Sequence, residues 1–282
     1  MRCPHHRRPV PARAVLATAV LATAMVIAAS ACGGGSPGDR RSAGPTAPAA
    51  ARVDHRTLIR ALDATRAVES GRVEVATAVT DLGDEPDPPL GGRLTVARYR
   101  VAFDRRVARV EVEADMSGAA AGTRRARDVA VGGDAWVAAR MIAAGDAVYA
   151  HVGPMGAAVG RAPGDWVKID RAAFVDRRPS SDAAVLLLDP LRPFEVVGDT
   201  TGDARVVGHD VIRGSPVTHL ATRADSGGGA APVDVWIADD GVIRRMEIWF
   251  VGGGAGAGRV VTTVELFDVG RAVAITPPGG ER

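Results

Sequence analysis

The sequence predicts a mainly β domain with a few helices, built around an antiparallel sheet. Three observations lead to this fold class. About ten or eleven short segments alternate apolar and polar residues with a period of two, which is typical of strands with one buried face. Gly and Asp separate these segments at the short intervals expected of a sandwich or barrel. Only two segments have the pattern of a full helix, which is too few to cover such a sheet.

Residues 232–251 give the clearest strand signal in the chain. Asp240-Gly241 predicts a tight hairpin turn, because Asp and Gly tolerate the positive φ that such turns need. A loop of two or four residues keeps the apolar side chains of both strands on one face. A three-residue loop would mix the faces and is rejected. The four-residue loop also places Asp234 opposite Arg245. The predicted apolar face comprises Val233, Val235, Ile237, Val242, Met246, Ile248 and Phe250.

The N-terminal half of the domain is predicted to begin with a helix and continue with strands. Apolar residues spaced three and four apart predict a helix at 57–69, with Asp54 or Thr57 as its cap and Gly71 just past its end. Segment 107–114 alternates apolar and charged residues, so one face of the sheet is wet, as in antiparallel sheets. Residues 172–176 predict a helical turn, and 117–127 have no clear pattern. Strands are predicted at 72–80, 94–103, 107–114, 128–141, 147–152 and 166–169, with loops at 81–92 and 153–164.

The C-terminal half is predicted to contain a second helix and then a meander of strands. Residues 185–188 are apolar on all sides, so a helix at 181–188 must be buried or covered. Pro190 and Pro193 are expected to end it. The meander is predicted at 204–212, 216–224, 233–238, 242–251 and 259–269.

The N-terminus has the pattern of an export signal. Residues 1–14 carry four arginines and no acidic residue, and residues 14–29 form a nearly unbroken apolar run. Small residues then precede Cys32, as in the bacterial lipobox, although Ala29 stands where leucine is commonest. We expect 1–31 to be a lipoprotein signal peptide and Cys32 to be the lipidated first mature residue. The alternative is cleavage after Ala31 with a free thiol at Cys32. Residues 32–52, rich in Gly, Pro and Ala, are expected to be a flexible tether.

Charge and composition argue against several classes of function. The chain has 282 residues, 46% of them hydrophobic, and a formal net charge of +2. Removing the four signal-peptide arginines leaves 31 basic and 33 acidic residues, a net charge of −2. This balance argues against nucleic-acid binding.

No catalytic or metal-binding constellation is recognisable. The mature histidines are His55, His151, His209 and His219. His209 and His219 lie on strands expected to be adjacent, but a metal site needs a third ligand, which is not evident. No nucleophile motif or phosphate-binding loop occurs, and the Gly-rich stretches fall in predicted turns. The sequence therefore predicts a protein that is not an enzyme and needs no cofactor.

Four features together resemble the LolA-like and LppX–LprG group of actinobacterial lipoproteins. They are the lipobox, the first helix followed by strands, the Leu188-Asp189-Pro190-Leu191 helix end, and a C-terminal motif pair. The first motif is carried by Gly208, Arg213, Gly214, Thr218, His219 and Leu220, with leucine where tyrosine is usual. The second is carried by Pro232, Val233, Val235, Trp236, Ile237 and Gly241. The resemblance spans about residues 53–276, leaves 277–282 as a tail, and implies an unclosed barrel of curved antiparallel sheet covered by helices.

The resemblance also implies a function for the concave face of that sheet. Some members hold acyl chains of lipids or lipoproteins in an apolar cavity. We therefore expect a non-enzymatic lipid binder or carrier anchored through Cys32 to the outer face of the cell membrane, with an unidentified envelope partner. The alternative is a structural or regulatory envelope lipoprotein with a filled core. The predicted cavity lining is Val233, Val235, Ile237, Met246, Ile248 and Phe250.

Overall fold

The structure is a computed structural model that describes residues 51–80, 94–116, 138–152, 165–176, 181–225, 229–251 and 259–279. The predicted signal peptide, Cys32 and nearly all of the tether lie outside these ranges, as do the loops predicted at 81–92 and 153–164. In the described ranges, no helix is long and apolar enough to cross a membrane.

Twelve strands and three α-helices are described. The helices are α1 (His55–Arg66), α2 (Arg171–Asp176) and α3 (Asp182–Leu188), and 3-10 helices occupy Arg105–Val107 and Arg192–Asp199. The first six strands are β1 (Arg52–Val53), β2 (Ser70–Thr80), β3 (Leu94–Asp104), β4 (Arg109–Asp115), β5 (Ala138–Ala144) and β6 (Ala147–Val152). The other six are β7 (Trp166–Asp170), β8 (Ala204–Ile212), β9 (Ser215–Asp225), β10 (Ala230–Ala238), β11 (Ile243–Val251) and β12 (Arg259–Phe267).

All twelve strands form one sheet in the order β1-β8-β9-β10-β11-β12-β2-β3-β4-β5-β6-β7, and all neighbours are antiparallel. Laid flat, twelve strands about 4.8 Å apart would span about 53 Å. One continuous apolar cluster nevertheless joins Ala204 on β8 to Val148 on β6. The sheet therefore curls around a shared core without closing, because β1 and β7 do not pair in the part that is described. This confirms the predicted fold class.

Helix α1 begins at His55, where the Asp54 side chain accepts a hydrogen bond from the Arg56 backbone N–H. It ends at Arg66, three residues earlier than predicted. The expectation that Gly71 lies just past the helix is wrong, because Gly71 is the second residue of β2. A Cβ there would lie 3.2 Å from the Phe267 carbonyl oxygen, so glycine allows two strands to approach closely.

Helix α3 is covered, as its apolar sequence predicted. Ser181 caps its first turn, and Ala183, Ala184, Leu186 and Leu187 are buried in the core. Helix α3 ends at Leu188, and a 3-10 helix begins at Arg192 after a short turn. Pro193 lies in the first turn of that helix, where a backbone N–H is not needed.

The β10–β11 hairpin has the three-residue loop that the sequence argument rejected. Ala238 accepts a hydrogen bond from Gly241 at 2.9 Å and donates one to the Val242 carbonyl at 3.0 Å, which leaves residues 239–241 as the loop. Gly241 has φ +79°. The apolar faces are not mixed, because a β-bulge between Trp236 and Ile237 corrects the register by one residue. The three-residue loop pairs Ile237 with Ile243, not Val242, and the bulge then pairs Trp236 with Arg245.

The predicted Asp234–Arg245 pair is also wrong, because that register places Asp234 opposite Glu247 and Trp236 opposite Arg245. Asp234 instead pairs with His219 on the neighbouring strand β9, where His219 Nε2 lies 2.9 Å from Asp234 Oδ1. Arg245 Nε donates to Glu265 on β12 at 2.9 Å.

The C-terminal motif residues contribute to the outer face of the sheet. His219 stacks on Trp236 with ring centroids 4.2 Å apart. Arg213, in the β8–β9 turn, donates to Glu265 at 2.8 Å and to Glu74 at 3.1 Å. Burial alone would raise the pKa of Glu265. The hydrogen bonds from Arg245 and Arg213 outweigh this effect and hold the pKa of Glu265 below its ordinary value. The ion pairs of Arg213 and Arg245 join the β8–β9 turn, β11, β12 and β2. The motif therefore has a structural role.

Candidate functional site

The concave face of the sheet carries apolar rows that cross strands in register. The central row begins on β9, passes through the β10–β11 hairpin and reaches β4. Its members, in order across the sheet, are Leu220, Val235, Met246, Val264, Val75, Tyr99 and Ala114. This row is seven strands wide and apolar except for Tyr99, so it forms the floor of the candidate site.

The structure brings the six predicted lining residues together on this face. Val233 pairs with Ile248, and Val235 pairs with Met246. These four are enclosed, with Val235 and Met246 both 0% exposed. Ile237 and Phe250 are partly buried and pack against the same core. The six residues therefore share one surface, of which Ile237 and Phe250 are the accessible part.

Three short helices form a cover over the concave face, which we call the helical cover: α1, α3 and the 3-10 helix at Arg192–Asp199. Helix α1 contacts β11, α3 contacts β3, β4 and β5, and the 3-10 helix contacts β9. The Thr65 hydroxyl fixes α1 to the hairpin, since it accepts a hydrogen bond from the Ile243 N–H at 3.0 Å and donates to Ala61 at 2.7 Å.

The helices of the cover are also linked to one another by charged groups. Arg66 Nε on α1 donates to Glu195 Oε1 at 2.7 Å. Arg105 donates to the Arg66 carbonyl at 2.7 Å and pairs with Asp189 at 3.3 Å. These contacts are exposed, so they orient the cover and contribute little to its stability.

Among the described residues, the cover does not seal the whole face. Five apolar side chains around the β4–β7 end of the sheet are only partly buried against the core. They are Ala114, Met116, Ala150, Ile169 and Phe174. The concave face therefore has a partly open apolar margin at this end.

Tyr99 and Asp182 are polar residues of the concave side that the sequence did not single out. Tyr99 is 4% exposed. Burial, together with the charge of Asp182, raises the pKa of the Tyr99 phenol. Burial raises the pKa of Asp182 to about 6. The signal was present in the sequence, as a lone tyrosine in an apolar strand and an acid at the start of an apolar helix. Nothing in it indicated that the charge of Asp182 would act on Tyr99.

A threonine hydroxyl lies one row away from the floor. Thr222 pairs with Val233, is 9% exposed, and its Oγ1 has no hydrogen-bond partner among the described residues. On the same row the hydroxyls of Thr77 and Thr262 lie 3.4 Å apart. The face is thus apolar with a few hydroxyl groups.

No metal site is built by the described residues, among which no group of three His, Cys, Asp or Glu side chains is suitably placed. His209 pairs with Thr218 and His219 with Gly208, so the two histidines are not directly opposite.

No protein-family model matches this sequence, and no curated protein matches it. Solved structures of similar shape include lipoprotein LppX of Mycobacterium tuberculosis, at 15% identity over 78% of this chain and 96% of that chain, with a TM-score of 0.42. LprF of Mycobacterium bovis matches at 18% identity over 79% and 96%, with a TM-score of 0.40. A LolA superfamily protein of Nitrosomonas europaea matches at 12% identity over 79% and 96%, with a TM-score of 0.24. The first and third carry names of the group that the sequence resembles, and the fold itself is defined by the strand order of the sheet.

Proposed function

We propose that this chain is a lipid-anchored envelope protein that binds or carries an acyl lipid and does not act as an enzyme. The lipid lies between the concave face of the sheet and the helical cover, along Val233, Val235, Ile237, Met246, Ile248 and Phe250. The anchor is Cys32, which places the domain at the outer face of the cell membrane.

The observation that carries this proposal is the apolar floor with its open margin. A curved sheet exposes one apolar face to its interior, and three short helices cover only part of it. A contiguous apolar surface left partly accessible beside a core can hold an apolar ligand. An acyl chain is the ligand that matches a surface of this shape and composition.

Because Val235 and Met246 are fully enclosed, binding along them requires the cover to separate from the sheet. The charged contacts of the cover are solvent-exposed and therefore cost little to break. The Thr65–Ile243 hydrogen bond is buried, and it is the polar contact between α1 and the hairpin that this movement affects.

The same enclosure favours a second candidate function. If the cover never separates, the face is a filled core and the protein is a structural or regulatory envelope lipoprotein. The two functions differ in one measurable property, which is whether an acyl lipid occupies the folded domain.

We expect the domain, expressed without residues 1–32 and extracted gently, to carry an acyl lipid that mass spectrometry detects after solvent extraction. The chain lacking these residues contains no anchor, so an extracted lipid comes from the domain itself. Protein recovered folded and free of lipid, and still free of it after incubation with phospholipid vesicles, would support the structural function instead.

We expect Cys32→Ser to abolish anchoring, because the serine hydroxyl does not replace the thiol as acyl acceptor. The variant should be released from the membrane fraction or remain as an uncleaved precursor, as judged by detergent partitioning and intact mass. Ser30→Ala is the matched control and should anchor normally. An unchanged mature mass and partitioning of the Cys32→Ser protein would remove lipidation from this account.

A further inference from the structure

Three threonine side chains lie on one row of the concave face, next to the floor. Each member of this row is two residues along its strand from a floor residue, so its side chain lies on the same face of the sheet. In order across the sheet, the row consists of Thr222, Val233, Ile248, Thr262, Thr77 and Ala97. We call Thr222, Thr262 and Thr77 the hydroxyl row.

Apolar residues flank each member of the hydroxyl row along its own strand, two positions away on either side. All six of these neighbours are buried: Leu220 and Ala224, Val260 and Val264, and Val75 and Val79. Valine differs from threonine by a methyl group in place of the hydroxyl. Packing against these neighbours therefore does not require a hydroxyl at any of the three positions.

The Thr222 hydroxyl is buried without a partner. Thr222 is 9% exposed, and its Oγ1 has no hydrogen-bond partner in the described part of the chain. It faces the interior, because Thr222 pairs with the core residue Val233. The chain that leaves the 3-10 helix of the cover packs on this part of β9, where the Thr201 N–H donates to the Arg223 carbonyl at 2.9 Å. A buried hydroxyl of this kind is rare and costs stability unless a ligand or a water completes it.

The hydroxyls of Thr77 and Thr262 leave one donor unused. Their Oγ1 atoms lie 3.4 Å apart, and this is the one hydrogen bond of either hydroxyl among the described residues. Each hydroxyl has a single hydrogen to donate. One hydrogen serves the bond within the pair, so the other is available to an acceptor. Both side chains are partly exposed, so an acceptor can approach them along the accessible part of the concave face.

We propose that the hydroxyl row binds the ester carbonyl groups of a diacyl lipid, so that the protein selects ester-linked chains over ether-linked ones. This inference rests on the proposed lipid-binding function and specifies its substrate class. An unused hydroxyl hydrogen needs an acceptor, and a carbonyl oxygen accepts without bringing a charge into an apolar site. In an ester lipid this oxygen lies at the start of the acyl chain, and the apolar floor lies directly beside the hydroxyl row.

The spacing of the donors indicates two ester groups. Thr222 on β9 and Thr262 on β12 are three strands apart, which is about 14 Å along the sheet. One carbonyl cannot reach both positions, whereas a lipid with two ester-linked chains supplies one carbonyl to each. The carbonyl at Thr222 lies under the cover, and the other lies at the accessible Thr77–Thr262 pair. The bond at Thr222 therefore forms as part of the cover movement that lipid binding requires.

The test is a competition between an ester and an ether lipid, measured by native mass spectrometry of the full-length protein released from detergent micelles. The probes are equimolar dioleoylglycerol and its diether analogue dioleylglycerol, which share chain length, double bonds and a free hydroxyl. The diether lacks both carbonyl oxygens. We expect the diester to exceed the diether by at least about fivefold in occupancy, the factor that one net hydrogen bond supplies.

Threonine-to-valine variants should remove this preference in steps. Thr222→Val alone, and Thr77→Val with Thr262→Val, should each lower the ratio of diester to diether. The triple variant should bring the ratio close to one while diether occupancy stays the same, because the apolar contacts are retained. Thr222→Val should also raise the melting temperature of the lipid-free protein, since valine leaves no unpaired buried group. A threonine with a purely structural role would not lose binding preference and gain stability together.

Thr263→Val is the matched control. Thr263 follows Thr262 on the opposite face of β12, where its hydroxyl donates to Glu247 at 3.3 Å. Its ratio should equal that of the unmodified protein. Equal binding of the two probes by the unmodified protein, or an unchanged preference in the triple variant, overturns the hydroxyl row but leaves lipid binding in place. An unmodified protein that binds neither probe and no other acyl lipid overturns the proposed function itself.

Discussion

Val235→Trp is expected to lower the free energy of unfolding by about 3 kcal/mol, near the upper end of the range for overpacked cores. Val235 is 0% exposed and lies in the middle of the floor between Leu220 and Met246. An indole at this position must displace the helical cover or its neighbours on β9 and β11. Urea denaturation of the lipid-free domain, followed by circular dichroism, measures the change.

The matched control for this prediction is Val211→Trp. Val211 lies on β8 and is 63% exposed, so the same substitution there should change stability by less than about 0.5 kcal/mol. If Val235→Trp were as mild as its control, the floor would contain an empty space large enough for an indole. The cavity would then exist before the lipid arrives, and the cover would not need to move.

Asp182→Asn is expected to stabilise the domain at pH 7.5 by about 2 kcal/mol, the order that a pKa shift of this size implies. The pKa of Asp182 is raised to about 6, above its ordinary value of 3.8. A raised carboxyl pKa means that the folded state binds the proton more tightly than the unfolded state. The associated stability is present below pH 3.8 and is lost as the pH rises through 6. The benefit of asparagine should therefore grow between about pH 4 and pH 7.

Thermal unfolding of both proteins at pH 4.5 and pH 7.5 measures this dependence. Asp176→Asn, at the exposed end of α2, is the control and should show no such difference between the two pH values. An equal effect of Asp182→Asn at both pH values would mean that the Asp182 carboxyl is hydrated in the folded protein.

Turn residues located some strand ends and missed others. Strand β5 runs to Ala144 although it was predicted to end at residue 141, and β10 begins at Ala230 although it was predicted to begin at residue 233. Strands β6 and β8 occupy the predicted residues because Gly145-Asp146 and Arg213-Gly214 bound them. Strand β1, which is two residues long, and the 3-10 helix at Arg192–Asp199 were not predicted. Two residues are too few to show a period, and the prolines that signal the end of one helix also start the next.

The hairpin shows how the right face can be predicted through the wrong turn. In a continuous ladder, only an even loop keeps Val235 and Met246 on one face. The hairpin has an odd loop and a bulge at Trp236–Ile237, which together keep these two residues on one face. A bulge inserts one unpaired residue, here Arg244, and leaves no distinctive residue type in the sequence.

Only part of the candidate site could be predicted from the sequence. Its apolar floor was predictable, because alternation alone assigns Val233, Val235 and Ile237 to one face. The effect of the Asp182 charge on Tyr99 was not, because it depends on which strands α3 covers. That placement comes from the curl of the sheet, which brings β3 under a helix that follows much later in the chain.

The claim that a lipid lies between the sheet and the helical cover is tested most directly by a reversible lock. A Cβ built on Gly241 would lie 3.9 Å from the Cβ of Ala64 on α1, which suits a disulfide. Ala64→Cys with Gly241→Cys, in the chain of residues 33–282 that has no other cysteine, therefore holds α1 against the hairpin when oxidised. Gly241→Cys alone measures the cost of a side chain at positive φ, expected to be about 1–2 kcal/mol.

The measurement is acyl-lipid occupancy of this double variant, oxidised and then reduced, after incubation with dioleoylglycerol. We expect the oxidised protein to be empty and reduction to restore binding in the same sample. Equal occupancy of the oxidised and reduced forms would contradict the proposed site, because the lipid would then bind without separating α1 from the sheet.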